Sequence, residues 1–579
     1  MKKYDRITPE GTNDLLFKEC EVQRKVIETL RAGFEEKGYR EVITPGFEFY
    51  DVFASNSMYF PQESMYKLID DKGRILVMRP DSTIPIARLT STKLKGHALP
   101  IRLYYAQRVY RQQPALRGKS SEIMQMGIEL VGSSSFESDM EILTAGMEAL
   151  SSCCVDDYRI ELGHIGIYKL LMENLNATKE QKETIHSLIV SKNYAGLSDV
   201  LEAFPENHTV ALLNELPRLF GGKEALDKAR QLFNGYDKKL LDMLSYLERI
   251  LQGLMERDLD KVMIDFGLVH QAEYYSSLIF RGYISTAGES VLSGGRYDEL
   301  FRDFGENLPA TGFGINVDQL AISQLKRIEA EMGITKRYAN EAAIDENEDY
   351  KGRILNLEYN PVDEKRTEAK SNIRIALTKG RLENDIVNLF ESMGYDCSNL
   401  NMKGRKLLLT IPNKNIDVVL AKAADVITYV EHGVCDVGVV GKDTIMEAGG
   451  TFYEVLDLGI GKCKFALAVP KGSDFYNGYS TKRIATKYPK VARSYFESKG
   501  MDVQVIKIEG SVELAPLLSL ADGIVDIVET GNTLRANGLE IIEEIRNISA
   551  RLIVNEASMK LKKTEIDKLI YDIQEKMKG

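Results

Sequence analysis

The sequence predicts a multidomain chain whose C-terminal part is an α/β fold with a parallel or mixed sheet covered by helices. Three observations point there. At roughly 150 residues per domain, 579 residues correspond to three or four domains. Between Lys326 and Asn372 the texture turns charged and polar, and this seam divides about 325 residues from about 208. Beyond Asn372, short β-branched runs ("IRIALTKG", "DVGVVG", "FALAVP", "VQVIKIEG", "IVDIVETG") alternate with helical stretches.

The elements follow in chain order. Val22, Val26, Ile27, Leu30 and Phe34 fall at helical spacing, with Asn13-Asp14 as the expected cap and Gly38 as the stop. From about Gly163 to Asp260 the chain reads as helical, with breaks at Pro205 and Pro217. Residues 326–371 read as a connector, in which the alternation at 354–359 suggests a small strand. The expected domains are therefore 1–325, the connector 326–371, and 372–579.

Composition excludes several classes. Hydrophobic residues make up 44% and charged residues 28%, enough apolar material for several cores. Net charge is −11 and no long basic run occurs, which argues against nucleic acid and anionic membrane as partners. None of the six cysteines forms a C-x-x-C pair, so neither a zinc site nor a thioredoxin-like site is expected. With no apolar run of signal-peptide or membrane-spanning length, a cytoplasmic protein is expected.

The stretch "DIVETGNTLRANG" (526–538) carries the chemistry of the second module. Asp526 and Glu529 end a β-branched strand, and Thr530, Gly531, Asn532 and Thr533 make a small-residue loop without lysine before a helix. Ligands of α/β sheets sit beyond the carboxyl ends of strands. Backbone N–H groups and hydroxyls there suit a phosphate, whereas ionised carboxylates only accept and suit sugar hydroxyls. A ribose 5-phosphate satisfies both. Taken alone, the same pattern also describes a strand-to-helix turn with solvated acids. Lys379 and Arg381 flank Gly380 between a strand and a helix, Arg405 sits on a basic turn, and Lys422, Lys442, Lys462 and Lys464 lie near other strand ends. Cations in such places suit a pyrophosphate or triphosphate.

"ALTKGRL", "DVITYVEHGVCDVGVVGKD", "GIGKCKFALAVP" and "SVELAPLLSLADGIVDIVETGNTL" resemble short-form ATP phosphoribosyltransferases across 372–579, except at Ser519, where that family has glycine. The resemblance implies two α/β lobes like those of periplasmic binding proteins. It implies attack of ATP on phosphoribosyl pyrophosphate, with Mg2+ on the substrate phosphates and no metal held by the protein itself. It assigns Asp526 and Glu529 to the ribose hydroxyls and Thr530 to Thr533 to the 5-phosphate. Lys379, Arg381 and Arg405 then face the pyrophosphate and ATP phosphates. With the chain stopping at Gly579, the extra C-terminal domain of the long form is not expected.

"TPEGTNDLL", "GYREVITPGFE", "MRPDSTIPIAR", "YYAQRVYRQQ", "QMGIELVG", "SGGRYDELF" and "PATGFGINVDQL" resemble histidyl-tRNA synthetase over roughly 1–320, implying a class II antiparallel sheet flanked by helices. Three departures remove ATP contacts. Arg108 is followed by Val109 and Tyr110 where a glutamate is usual, Gln319 stands for an arginine, and His270 stands for another. A guanidinium fork has no substitute in glutamine or histidine. Asp81, Gln125, Glu129 and Tyr275 keep the groups that hold an amino acid's ammonium and an imidazole. Such a module is similar to the regulatory subunit of short ATP phosphoribosyltransferases, implying L-histidine as inhibitor. Alternatively, Gln125 and Glu129 are polar sheet residues without a ligand, or histidine binds where the modules meet. The reading is a fused, homo-oligomeric, histidine-regulated ATP phosphoribosyltransferase. Its rivals are a histidyl-tRNA synthetase with an appended domain and a non-enzymatic small-molecule sensor.

Overall fold

The computed structural model describes residues 7–54, 62–114, 118–153, 157–269, 274–331, 372–402, 404, 406–477 and 481–578. Arg405, His270 and the expected connector strand at 354–359 lie outside the described residues. Two units are present: residues 1–190 with 196–368, and residues 369–579 with 191–195.

The first unit opens with the helix Lys18–Glu36, whose Val22, Val26, Leu30 and Phe34 are all buried. Four-residue spacing puts them on one face, as the sequence pattern requires. Asn13-Asp14 is not the cap: the N-cap is Phe17, at φ 42 and without a side-chain hydrogen bond. An acceptor several residues upstream does not reach the first-turn N–H groups. Gly38, at φ 81, follows the helix end, a conformation that suits glycine.

Nine strands form the sheet of this unit, in the order Arg40–Glu41, Ile101–Tyr110, Glu122–Val131, Ala310–Asn316, Leu292–Arg296, Leu278–Ile284, Tyr158–His164, Val262–Asp265, Phe220–Gly221. All neighbours pair antiparallel except Arg40–Glu41 with Ile101–Tyr110 and Tyr158–His164 with Val262–Asp265. Helices fill most of the chain from Ile165–Asn174 to Lys238–Met255, as expected. Pro217 falls inside the 3-10 turn Leu216–Arg218.

The second unit has two lobes, each built on a mixed sheet. The six-stranded sheet runs Leu408–Ile411, Ile416–Ala421, Ile373–Thr378, Val437–Gly441, Ala550–Val554, Tyr453–Asp457. The five-stranded sheet runs Val503–Lys507, Lys482–Thr486, Gly523–Val528, Cys463–Pro470, Leu539–Ile548. All five strands anticipated from β-branched runs are present. The chain passes from the first lobe to the second between Asp457 and Cys463 and returns at Ser549. The two crossings are tied together, since the Ala550 N–H donates to the Ile460 carbonyl at 2.9 Å.

Candidate functional site

The carboxyl ends of the strands Ile373–Thr378, Val437–Gly441 and Gly523–Val528 lead to the residues that face one cleft between the lobes of the second unit. A cavity of 220 Å³ lies there, with Arg381, Asp385, Asp443 and Cys463 among its polar lining and Leu382, Ile460, Ile527 and Ile548 among its apolar walls. Asp526 is half-buried on its strand, and burial pushes its carboxyl above the usual range against the hydrogen bond from the Ile527 N–H. Glu529 is exposed and accepts from Arg381, which reaches it at 3.2 Å from the opposite lobe. The cation expected to hold pyrophosphate and an acid expected to hold ribose are therefore paired with each other here. Lys379 is exposed beyond its strand, and its N–H donates to the Ala421 carbonyl at 2.9 Å.

The loop 530–533 starts the short helix Asn532–Ala536. Gly531 is its N-cap at φ 72, in the left-handed region where a side chain would be strained. Arg535, beside this loop, was not singled out by sequence reasoning, which noted the absence of lysine. Arg535 folds back and donates to the Thr530 carbonyl at 3.0 Å and to Asn532 Oδ1 at 2.6 Å. The signal was present in "TGNTLR", since a residue four positions after Gly531 returns to the same face of a helical turn.

The other strand-end cations divide. Lys442 is buried and donates to both oxygens of Glu454 at 2.8 and 2.6 Å, so it is an internal ion pair and not a ligand. Burial pulls its ammonium down against the opposing charge of Glu454. Lys464 pairs with Glu544.

In the first unit, the four residues of the proposed amino-acid pocket are brought together. Glu129 is 1% exposed, accepts from Thr83 Oγ1 at 2.7 Å, and accepts from the Tyr297 hydroxyl. Burial pushes its carboxyl up to about 8, against the two hydroxyl donors. Asp81 is buried as well, accepts from the Ile84 N–H at 3.0 Å, and is likewise raised by burial, with Arg111 opposing. Tyr274, Tyr275 and Tyr297 form a ring cluster, with centroids 4.7 Å apart for Tyr274–Tyr275 and 5.9 Å for Tyr274–Tyr297. Gln125 accepts from the Tyr105 hydroxyl at 3.4 Å, and Tyr105 feels the charges of Glu129 and Asp81. Thr83, Tyr105 and Tyr297 were not singled out from sequence. Each lies inside a quoted motif, but its direction depends on strand register.

The synthetase-like third motif has a different task here. Asp318 accepts from Gln23 Nε2 at 2.7 Å and from the Met124 N–H at 2.8 Å, tying the first helix to a central strand. Arg108 pairs with Glu122 at 3.3 Å.

Comparison with known proteins gives two family matches along the chain. A family model described as histidyl-tRNA synthetase matches residues 11–320. One described as ATP phosphoribosyltransferase matches residues 422–575. An ATP phosphoribosyltransferase of Clostridium kluyveri is 64% identical over 202 residues, covering 35% of this chain and 92% of that protein. The chain belongs to the histidyl-tRNA synthetase family over its first module and to the ATP phosphoribosyltransferase family over its second. The ATP phosphoribosyltransferase regulatory subunit of the same organism is 40% identical over 322 residues, covering 55% of this chain and 82% of that protein. A solved structure, an ATP phosphoribosyltransferase regulatory subunit/histidyl-tRNA synthetase from Bacillus halodurans, matches with TM-score 0.51 and 25% identity, over 73% of this chain and 94% of its own. The protein is thus a glycosyltransferase of histidine biosynthesis joined to a regulatory module, and these matches do not favour a synthetase with an appendage or a non-enzymatic sensor. At Ser519, where this family has glycine, the backbone is left-handed at φ 57.

Proposed function

We propose that phosphoribosyl transfer occurs at the cleft around Asp526 and Glu529, under feedback control by L-histidine bound at Glu129. Adenine N1 of ATP attacks C1 of phosphoribosyl pyrophosphate, and pyrophosphate leaves with the electron pair. Mg2+ belongs to the substrates here and arrives on their phosphates. Asp526 and Glu529 accept from the ribose hydroxyls, and their negative charge favours the cationic character that develops at the sugar. The 530–533 loop and Arg535 hold the 5-phosphate. Arg381 and Lys379 meet the pyrophosphate and triphosphate, and the resemblance gives Arg405 the same task. Rate enhancement on this reading comes from positioning and charge, with no covalent nucleophile.

The observation that carries the reading is the meeting of Arg381 with Glu529 from the opposite lobe, at a strand end that also carries Asp526 and leads directly into the 530–533 loop. When phosphoribosyl pyrophosphate binds, Glu529 exchanges Arg381 for sugar hydroxyls, and Arg381 turns to the leaving group. The test is magnesium-dependent product formation, followed by near-ultraviolet absorbance with both substrates varied and histidine absent. No product under any of these conditions overturns the assignment.

In the first module, a desolvated carboxylate ringed by hydroxyls and aromatic faces supports an ammonium and an imidazole as ligand. The same module should not charge tRNA with histidine, because Asp318 and Arg108 are occupied within the fold and Gln319 offers no guanidinium. Aminoacylation above background contradicts that reading. Among the described residues, no helix is long and apolar enough to cross a membrane. We read the protein as a cytoplasmic homo-oligomer, checked by fractionation and by light scattering.

A further inference from the structure

The reaction leaves one demand unmet by the residues assigned so far. Once N1 bonds to C1, the adenine ring carries a positive charge spread over N1, C6 and the exocyclic N6, and the N6–H becomes acidic. A site for this transfer needs a fixed acceptor on the side of the cleft that faces N6.

The cavity between the lobes has two carboxylates among its lining, Asp385 and Asp443, set among Leu382, Ile460, Ile527 and Ile548. Only Asp443 is held. Its Oδ2 accepts from the Tyr488 hydroxyl at 3.1 Å and from Thr444 Oγ1 at 3.4 Å. Its Oδ1 lies over Gly441, where a Cβ would come within 2.1 Å of it. Glycine at 441 therefore makes room for that oxygen. Tyr488 also relates Asp443 to the sugar site: burial raises its hydroxyl, and the charges of Asp443 and then Asp526 raise it further, so it remains a donor. Asp443 in one lobe is thus fixed by the Tyr488 hydroxyl of the other lobe, the lobe that carries Asp526. A base whose N1 reaches the C1 of a ribose held on Asp526 has N6, one carbon removed from N1, directed at the opposite wall.

We infer that Asp443 is a catalytic residue that accepts the N6–H of the nucleotide base through Oδ1, neutralising the charge formed on the ring and taking the proton. Electrons and atoms balance: the N1 lone pair forms the N1–C1 bond, the C1–O bond breaks, pyrophosphate leaves with its pair, and the N6 proton passes to the carboxylate. The apolar walls strengthen the contact, since a charge-assisted hydrogen bond is worth more where water is excluded. The assignment rests on the phosphoribosyl-transfer reading of the same cleft. It also makes Asp443 a specificity residue, since a purine without the 6-amino group offers it nothing.

The test pairs a residue change with a substrate change. Pyrophosphate release is measured for the full-length protein and for Asp443→Asn, Asp443→Ala and Asp385→Asn, with ATP and with purine riboside 5′-triphosphate, which keeps N1 and lacks the amino group. Asp443→Asn and Asp443→Ala should lower kcat/KM for ATP by about 100-fold, the usual scale of a general base. Both should change it less than threefold for the analogue, while Asp385→Asn leaves the ratio between the two substrates as it was. Equal losses on both substrates make the role structural and overturn the proposal, as does an unchanged rate with ATP. Where turnover of the analogue falls below detection, its inhibition constant against ATP is read in the same way. If the unaltered protein itself releases no pyrophosphate with ATP, it is the underlying reading of the cleft that fails.

Discussion

The first module buries its pair of acids, Asp81 and Glu129, at 7% and 1% exposure, while the second leaves Glu529 half open beside Arg381. Burial sets the chemistry of each pair. In the closed pocket a carboxylate is costly to ionise without a cation, so Glu129 is raised to about 8, and on the proposed reading the guest supplies that cation. In the open cleft, an exposed ion pair is worth only about 0–1 kcal/mol, so Glu529 gives up Arg381 readily when a ligand arrives. A closed acid pair suits a sensor that must recognise one small molecule. An open pair suits a catalyst that must admit and release two large anions.

The strongest way to break this contrast is to neutralise the open pair. Asp526→Asn with Glu529→Gln removes two charge-assisted contacts worth about 3–6 kcal/mol together, a loss of about 10²–10⁴ in kcat/KM for phosphoribosyl pyrophosphate. The two residues are neighbours, so the sum is an upper figure. Steady-state kinetics with melting temperature as a control for folding decides it, and a change within threefold removes the sugar assignment.

Neutralising the closed pair should touch regulation. Glu129→Gln keeps the shape and loses the charge, and the inhibition constant for histidine should rise by at least about tenfold, or 1.4 kcal/mol. Equal inhibition of variant and parent would move histidine to another site. Because allosteric coupling is reciprocal, substrate should also alter histidine affinity in direct binding measurements.

The same group gives a pH signature. In the empty pocket Glu129 is largely protonated at pH 7, and binding an ammonium requires it to ionise, so histidine uptake should release up to about one proton. Affinity should therefore rise with pH, by at most about tenfold per unit, and level off above about 8. Calorimetry in buffers of different ionisation enthalpy measures this release. Stability runs the other way: with the folded value raised above the ordinary 4.5, the contribution is full below 4.5 and lost as pH rises toward about 8. Loss of both effects in Glu129→Gln would assign them to this carboxylate.

The smallest effect belongs to the scaffold of the open pair. Ser519 is left-handed at φ 57, a conformation costing a non-glycine residue about 1–2 kcal/mol. Glycine recovers part of that and gives back part in unfolded-chain entropy, so Ser519→Gly should stabilise by about 0.5 kcal/mol. A lower melting temperature would show that the serine makes up its strain through contacts of its own.

Much of this molecule was legible because local pattern and global role coincide. The acids of 526–529 and their loop are adjacent in sequence, as strand-to-helix sites are, and the first helix carries its buried face in its spacing. What escaped depended on long-range geometry or on atoms folding back. Tyr297 meets Glu129 across 168 positions, and only the strand register aims it there. Lys442 reads as a strand-end cation until Tyr453–Asp457 lies two strands away and brings Glu454 to it. Arg535 was not singled out, and its guanidinium reaches the loop only once the helical turn exists. Asn13-Asp14 has the chemistry of a cap, but the helix begins beyond its reach.

The tie between Ala550 and Ile460 has a kinetic meaning. The two crossings between the lobes run side by side, joined from Ala550 to Ile460, from Leu458 to Ala550 and from Ser549 to Asp457, which is where a rotation of one lobe against the other would hinge. Arg381 and Glu529 then approach or separate in the same swing as Tyr488 and Asp443. On the proposed reading the gap is one shared variable, so a first substrate that closed it would change the width the second meets. On the proposed reading, the paired crossings set that width from the wall of the cleft itself, where Ile460 and Ala550 stand.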